Sequence, residues 1–311
     1  MVCAGLLVGA ASSCRVLHPT THAADTANYC DLPRLYEADT LRASVADPTP
    51  TDTVELPRLS ARSRQLARAF GLGPGLRRLD QLERADQIAP SSSARTAYLG
   101  QRQHLITQVL LASAETLRVA EELDCEEQRA GQAAADLQRR ENHQIRNLTI
   151  GSVAAGVGGG LAGELLETST TEHTLAVGGA IVSAGLGIAT IFVNPRQQFT
   201  HPRNLLADTW YHRARSSFYP AGLWAVLSAP PADAAPPAPL QTIRQRWAQY
   251  DQLGGRNALA QQALYFGGGG RYDADALRTR TTMLAQLEGA VRLVGQDLQQ
   301  LLVELSNAEP R

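Results

Sequence analysis

The last long segment of the chain, residues 277–305, has the sequence LRTRTTMLAQLEGAVRLVGQDLQQLLVEL. Its apolar residues follow a heptad pattern, which is typical of a helix that packs through one narrow seam. Arg280 interrupts the pattern once. One or two partner helices bury such a seam in coiled-coil fashion. The segment therefore predicts a helical bundle, with a seam formed by Leu277, Leu284, Leu287, Val291, Val294, Leu298, Leu301 and Leu305.

A second amphipathic pattern, between residues 93 and 146, supplies the natural partner helix. Pro90 and the serines that follow it predict the helix start, because a serine hydroxyl caps the free N–H groups of a first turn. No segment has a convincing strand pattern, and Gly267 to Gly270 predict a flexible break before the last helix. We therefore expect an all-α fold with an elongated helical bundle or coiled-coil stalk. The apolar stripe of this partner helix includes Leu105, Val109, Ala112, Thr116, Val119 and Leu123.

The composition narrows the class of protein. The net charge is −1, which argues against a nucleic-acid-binding protein that depends on bulk positive potential. All 29 basic residues are arginine, so mechanisms that need a lysine, such as Schiff-base formation, are excluded. Aromatic residues make up only 5% of the chain. An excess of alanine and leucine over aromatic residues suits helices better than sheets.

Two apolar runs in the middle of the chain predict a helical hairpin. Residues 148–163 and 175–193 contain no charged residue, and the polar turn Glu164 to His173 separates them. As helices the two runs would span roughly 24 and 28 Å, close to the ~30 Å hydrocarbon core of a bilayer. We therefore expect a membrane hairpin of transmembrane type. The alternative is a central hairpin buried within a soluble bundle.

Small residues recur at four-residue spacing along both runs. Such stripes let helix backbones approach closely, so that van der Waals contact replaces the hydrophobic drive that is missing in lipid. This segment resembles the glycine-zipper hairpins of bacterial envelope lipoproteins, with Gly156, Gly160, Gly179 and Gly187 at the matching positions. The resemblance implies an envelope protein and names no activity. The full set expected to pack the helices is Ser152, Gly156, Gly160, Gly163, Gly179, Ser183 and Gly187.

The N-terminus has features of an export signal. Val2 to Ser13 is an uncharged run that ends in small residues directly before Cys14. Twelve residues are too few to span a bilayer, but they fit the apolar part of a secretory leader. Small residues that lead into a cysteine resemble a lipoprotein processing site, which makes Cys14 the expected lipidated residue. The alternative is an ordinary apolar segment packed on the core.

Removal of a leader would leave Cys30 and Cys125. Two cysteines in an exported chain are more often paired than free, so we expect a disulfide between them. The alternative is two separate buried thiols. The sequence contains no CxxC or HExxH motif, and no metal site or cofactor is predicted.

The segment between the hairpin and the C-terminal helices contains an aromatic cluster that includes Trp210, Tyr219 and Trp224. Such a cluster fits a membrane-interface belt and a core stripe equally well. These patterns divide the chain into a leader (1–14), an extended segment (15–55), a helical stalk (56–146), the hairpin (147–194), an aromatic and proline-rich segment (195–239) and C-terminal heptad helices (240–311).

No catalytic motif is recognisable. Gly158 to Gly163 match the dinucleotide pattern GxGxxG only formally, because no strand precedes them and no acidic residue follows at the required distance. We expect a non-enzymatic protein of the bacterial envelope, lipid-anchored at the outer membrane or the periplasmic face. Its expected partners are membrane lipid and copies of itself or other envelope subunits, and no nucleic acid. The alternatives are a pore-forming protein of the helical-bundle type and a soluble helical scaffold.

Overall fold

The computed structural model describes residue 30 and residues 59–165, 181–232, 237–250, 253 and 258–307, with only the backbone given for 158–165. The chain is mostly helical, as expected. The elements in chain order are α1 (Ala61–Ala69), α2 (Gly73–Ile88), α3 (Ser92–Leu165), β1 (Gln197–Thr200), α4 (Ala207–Trp210), α5 (Ala221–Ser228), α6 (Pro239–Ala248), α7 (Ala258–Phe266), β2 (Gly269–Tyr272) and α8 (Ala274–Ser306). Residues 181–189 are also helical and lead into a 3₁₀ turn, Thr190–Phe192.

The antiparallel pair of α3 and α8 forms the frame of the bundle. All eight predicted seam residues of α8 are buried, as are the six predicted on α3, so the predicted pairing is confirmed. At one end of the seam, the Arg102 side chain donates to the carbonyl oxygens of Leu305 and Ser306. At the other end, Arg278 donates to Gln138. These contacts fix which part of α3 lies beside α8 and leave the last turns of α3 beyond the seam.

The helix α3 is longer than the sequence pattern indicates. Its 74 residues correspond to roughly 110 Å at 1.5 Å per residue. The same helix continues past residue 147, the predicted boundary between stalk and hairpin, into the first apolar run. Neither proline nor a capping residue stops the helix there, and the glycines that follow weaken a helix without ending it.

Two short strands correct the expectation of a fold without sheet. Antiparallel pairing of β1 with β2 places Gln197 opposite Tyr272 and Thr200 opposite Gly269. Gly269 has φ +104°, and a Cβ atom there would lie 2.3 Å from the Phe199 carbonyl oxygen. The glycine run predicted as a flexible break therefore contributes a strand that only glycine allows to approach so closely.

The short helices pack around the frame. The Ser91 hydroxyl accepts from the Ala94 amide at the start of α3, as its position in the sequence predicts. The aromatic segment belongs to the core, because Tyr219 and Trp224 are buried and Trp210 stacks on Phe266 with ring centroids 4.6 Å apart. This settles the choice between a core stripe and an interface belt for these three rings.

Cys30 and Cys125 lie in disulfide geometry. Their Cα atoms are 5.5 Å apart and their sulfur atoms are within bonding distance. Cys30 is 1% exposed. The bond joins the N-terminal segment to the middle of α3, which is the link that the two cysteines predicted.

No helix within the described parts of the chain is long and apolar enough to cross a membrane, so the transmembrane prediction is not supported there. One physical reason is that the first arm is rich in glycine, which has no side chain and therefore adds little apolar surface. Other predictions lie outside the described residues: the leader with Cys14, the hairpin turn beyond Leu165, and Gly179. Gly160 and Gly163 lie where only the backbone of α3 is given.

Breaking the disulfide should lower stability. The bonded residues are 95 positions apart. Chain-entropy arguments for a loop of that length give a stabilisation of up to about 4–5 kcal/mol. We expect reductant to lower the urea midpoint of the wild-type protein. The double variant Cys30→Ser, Cys125→Ser should be equally destabilised and insensitive to reductant. An identical wild-type midpoint with and without reductant would contradict the pairing.

Candidate functional site

The two arms of the glycine-rich hairpin pack closely against each other. A Cβ atom built on Gly156 would lie 3.4 Å from the Ser183 hydroxyl, and one built on Gly151 would lie 3.5 Å from a Leu186 methyl group. These pairs run in opposite directions along the chain, so the second arm returns antiparallel to α3. The backbones therefore approach at Gly156 and Ser183, two of the small residues that recur at four-residue spacing.

The predicted packing set is only partly brought together. The Ser152 hydroxyl donates to the Thr149 carbonyl oxygen of its own helix, 2.8 Å away. A Cβ atom on Gly187 would meet nothing within 4 Å. Leu186, rather than its glycine neighbour, fills the space beside Gly151. The second arm therefore contacts α3 through one small residue, Ser183, and one large residue, Leu186. Four-residue spacing of small residues does not identify Leu186.

The outer surface of the hairpin is apolar. In the described residues, eight of the seventeen large apolar side chains that are exposed lie on its two arms, and Ile191 and Phe192 are 77% and 78% exposed. Monomeric proteins rarely expose contiguous apolar patches of this kind, which mark sites of contact with proteins or membranes. The eight residues are Ile150, Val153, Val157, Ile181, Val182, Ile188, Ile191 and Phe192.

The base of the hairpin is tied to the start of α8. The Asn194 amide nitrogen lies 3.5 Å from an Asp273 carboxylate oxygen, and the Arg196 Nε lies 3.8 Å from the same oxygen. The other Asp273 oxygen accepts from the Ala276 amide and caps α8. The returning arm therefore ends on a rigid part of the bundle and not on a free loop.

A buried polar centre lies beneath this base, around Arg280. Arg280 is 1% exposed, and its guanidinium donates to the Tyr265 carbonyl oxygen, 3.0 Å away. Longer hydrogen bonds reach the Asn204 side-chain oxygen. Burial lowers the pKa of Arg280. Asn204 in turn donates to the carbonyl oxygens of Tyr265 and Gly267, so one arginine and one amide anchor the segment between α7 and β2.

His201 extends this centre as a neutral hydrogen-bond donor. The Tyr272 hydroxyl donates to the Leu264 carbonyl oxygen, 2.6 Å away, and therefore accepts from His201 Nε2 at 2.9 Å. Burial and the nearby Arg280 charge lower the pKa of His201 to about 2. Burial raises the pKa of Tyr272 to about 12. Neither group changes its protonation state near neutral pH, so this pair holds structure and is unsuited to proton transfer.

Ion pairs on α3 complete the polar centre. The Arg129 guanidinium donates to Glu126 at 2.8 Å and to the Thr200 carbonyl oxygen at 2.9 Å, and lies 4.2 Å from the centre of the Phe199 ring. Both charged residues are buried. Together they attach β1 to α3. The corresponding signal in the sequence is the appearance of charged residues where the apolar stripe of α3 narrows, a signal that helical periodicity alone does not assign to a buried ion pair.

The described residues hold no group of three or more His, Cys, Asp or Glu side chains that could bind a metal ion. The hydrogen bonds of Arg280, Asn204 and Tyr272 end on the backbone oxygens of Leu264, Tyr265 and Gly267, which is the arrangement of a structural centre. The hairpin arms carry eight of the seventeen exposed large apolar side chains among the described residues, which makes them the candidate contact surface.

A leucine at Gly156 should separate the hairpin arms. Its side chain would collide with Ser183, and overpacking of this kind costs about 1–3 kcal/mol. We expect faster amide hydrogen exchange in residues 181–192. Gly185→Leu is the matched control, because a Cβ atom there meets nothing within 4 Å and the gain in helix propensity is the same. Equal exchange in the two variants would contradict the observed packing.

Acid should destabilise the fold through His201. Below pH ~6.5 the unfolded chain binds a proton on this imidazole that the folded chain excludes, so stability is lost as the pH falls. The loss attributable to this group is about 2 kcal/mol between pH 7.5 and 5. We expect unfolding free energies measured in urea to fall less with acid in His201→Gln than in the wild-type protein. Equal pH dependence in both would refute the assignment.

No protein-family model, curated protein or solved structure matches the chain. A proposal for its function therefore rests on the contacts, charges and exposures of the residues described above.

Proposed function

We propose that the chain is a non-enzymatic structural protein of the bacterial envelope that docks its glycine-rich hairpin into a membrane as part of a larger assembly. The exposed apolar surface of the hairpin carries this proposal. The two described arms are a short part of the chain, yet they carry eight of the seventeen exposed large apolar side chains among the described residues. A surface of this kind is stable in lipid or against another protein.

The free energy of insertion favours an apolar environment for these side chains. Isoleucine, valine and phenylalanine contribute about −0.3 to −0.6 kcal/mol each on insertion, so the eight exposed residues provide roughly −2 to −5 kcal/mol. In water the same side chains would add nothing to the stability of the bundle. The close contacts of Gly156 with Ser183 and of Gly151 with Leu186 suit helix packing in lipid, where small residues let backbones approach.

Two features support an envelope location. The Cys30–Cys125 geometry fits a compartment in which disulfides persist. The apolar run before Cys14 fits an export leader, and acylation of Cys14 would add a second membrane attachment. Neither the disulfide nor acylation of Cys14 depends on an enzymatic activity of the chain itself.

The continuous helix α3 explains how docking would serve an assembly. One helix connects the disulfide, the seam with α8 and the first hairpin arm. A membrane-docked hairpin would therefore hold the bundle at a fixed distance from the bilayer and present it to copies of itself or to other envelope subunits. The chain would then act as a stalk.

The role of the exposed apolar residues on the returning arm can be tested by polar substitution. In the triple variant Ile188→Gln, Ile191→Gln, Phe192→Gln, we expect association of the full chain with phospholipid vesicles to fall at least about tenfold, because the apolar contribution is lost. Vesicle flotation measures the bound fraction. These side chains are exposed, so folding should be unchanged.

The matched control replaces three exposed apolar residues of the bundle, Ile88→Gln, Leu259→Gln, Leu293→Gln. It should float like the wild-type protein. The proposal fails if wild-type protein does not associate with vesicles, or if both triple variants lose association to the same extent. A hairpin used only for protein contacts predicts the first of these results.

A further inference from the structure

The charges at the base of the hairpin are unevenly distributed. Among the described residues 142–157 and 181–195, Arg146 is the one aspartate, glutamate, lysine or arginine side chain. Arg139 and Arg140 lie one to two turns before it on α3, and Arg196 follows the returning arm. We name these four residues the arginine collar.

The collar lies where the apolar surface begins. Because Gly156 faces Ser183 and Gly151 faces Leu186, continued antiparallel register brings residues 192–193 beside residues 145–146 of α3. Arg196 lies just below that level, next to Asp273 at the start of α8. Ile191 and Phe192, both strongly exposed, lie at the level of Arg146. Positive charge and apolar surface therefore meet at one height along the hairpin.

The collar retains positive charge that its own fold does not neutralise. Arg139 pairs with Asp136, and Arg196 lies 3.8 Å from Asp273, which already caps α8. In the described chain, Arg140 and Arg146 are exposed and have no ion pair with a carboxylate; Glu141, which is adjacent to Arg140, accepts from Gln138 instead. The closest polar neighbour of Arg146 is the His143 ring nitrogen at 3.5 Å.

We propose that the arginine collar binds the headgroups of anionic phospholipids, an inference that rests on the proposed docking of the hairpin. A hairpin inserted up to Ile191 and Phe192 would bring the collar to the headgroup layer. Guanidinium groups suit this role, because they form paired hydrogen bonds to phosphate oxygens and keep their charge at all relevant pH values. The collar would set the depth of insertion and select negatively charged membrane surfaces.

The expected size of the effect follows from general magnitudes. An arginine near an anionic membrane surface strengthens binding about fivefold, so removing three of them should weaken binding on the order of a hundredfold. The effect should shrink at high salt, because ions screen charges at an exposed surface. Binding through apolar contact alone would neither weaken in this way when the arginines are removed nor lose strength at high salt.

The test uses the full chain and phosphatidylcholine vesicles that contain or lack phosphatidylglycerol. The variant is Arg140→Gln, Arg146→Gln, Arg196→Gln. We expect the wild-type protein to favour the anionic vesicles strongly, and the variant to lose that preference while keeping the weaker binding to phosphatidylcholine. The control Arg78→Gln, Arg84→Gln, Arg246→Gln removes the same charge from exposed sites on α2 and α6, and should retain the preference.

The outcomes separate the two proposals. Equal wild-type binding to both vesicle types would overturn the collar and leave hairpin docking intact. An equal loss of preference in the variant and its control would also overturn the collar, because net charge alone would then explain it. Failure of the wild-type protein to bind either vesicle would overturn the docking proposal and the collar together.

Discussion

Burial of the α8 heptad residues against α3 is the contact on which the other elements depend. From Leu277 to Leu305, this seam removes a row of apolar side chains from water, interrupted once by the buried Arg280. The helices α1 and α2, the aromatic segment and the ribbon of β1 and β2 pack on this pair or on each other. Without the seam, none of these short elements has enough apolar surface to fold alone.

The interruption of the seam at Arg280 organises the end of the bundle nearest the hairpin. A buried guanidinium is costly unless its donors are paired, so the surrounding carbonyl and amide groups must adopt one arrangement. Asn204, which lies 76 positions before Arg280, supplies one partner, and Tyr265 and Tyr272 supply others from the segment just before α8. Arg129 and Glu126 contribute a second buried pair on α3. This end of the molecule is therefore held by directed polar contacts, whereas the rest of the seam is held by apolar packing.

That rigid end gives the hairpin its geometry. One arm is a direct continuation of α3, and the other returns to Asp273 at the cap of α8. Both attachments are to helices of the frame, so movement of the hairpin relative to the bundle would have to bend α3 or break the contacts of Asn194 and Arg196 with Asp273. The hairpin has apolar side chains on its outer surface and small residues between its two arms. This arrangement suits an apolar environment, and the arginine residues lie where that environment would end.

The sequence alone determined the helical class, the seam, the pairing of α3 with α8, the start of α3 and the presence of small residues at Gly156 and Ser183, whereas the contact between these two came from the structure. These follow from local periodicity, from capping and from the small size of glycine. The cysteine pair followed from the number of cysteines and from the inferred compartment.

Tertiary structure alone decided the length of α3, because no local signal marks where a helix passes from a bundle into a hairpin. It also decided that Gly269 joins a strand, that Trp224 belongs to the core, and that Arg280 completes the seam instead of breaking it. In each case the deciding partner is distant in sequence: Phe199 lies opposite the glycine strand, and Asn204 accepts from the buried arginine. Periodicity describes which face of an element is apolar, but the energy of a buried polar group depends on which partner the fold brings to it.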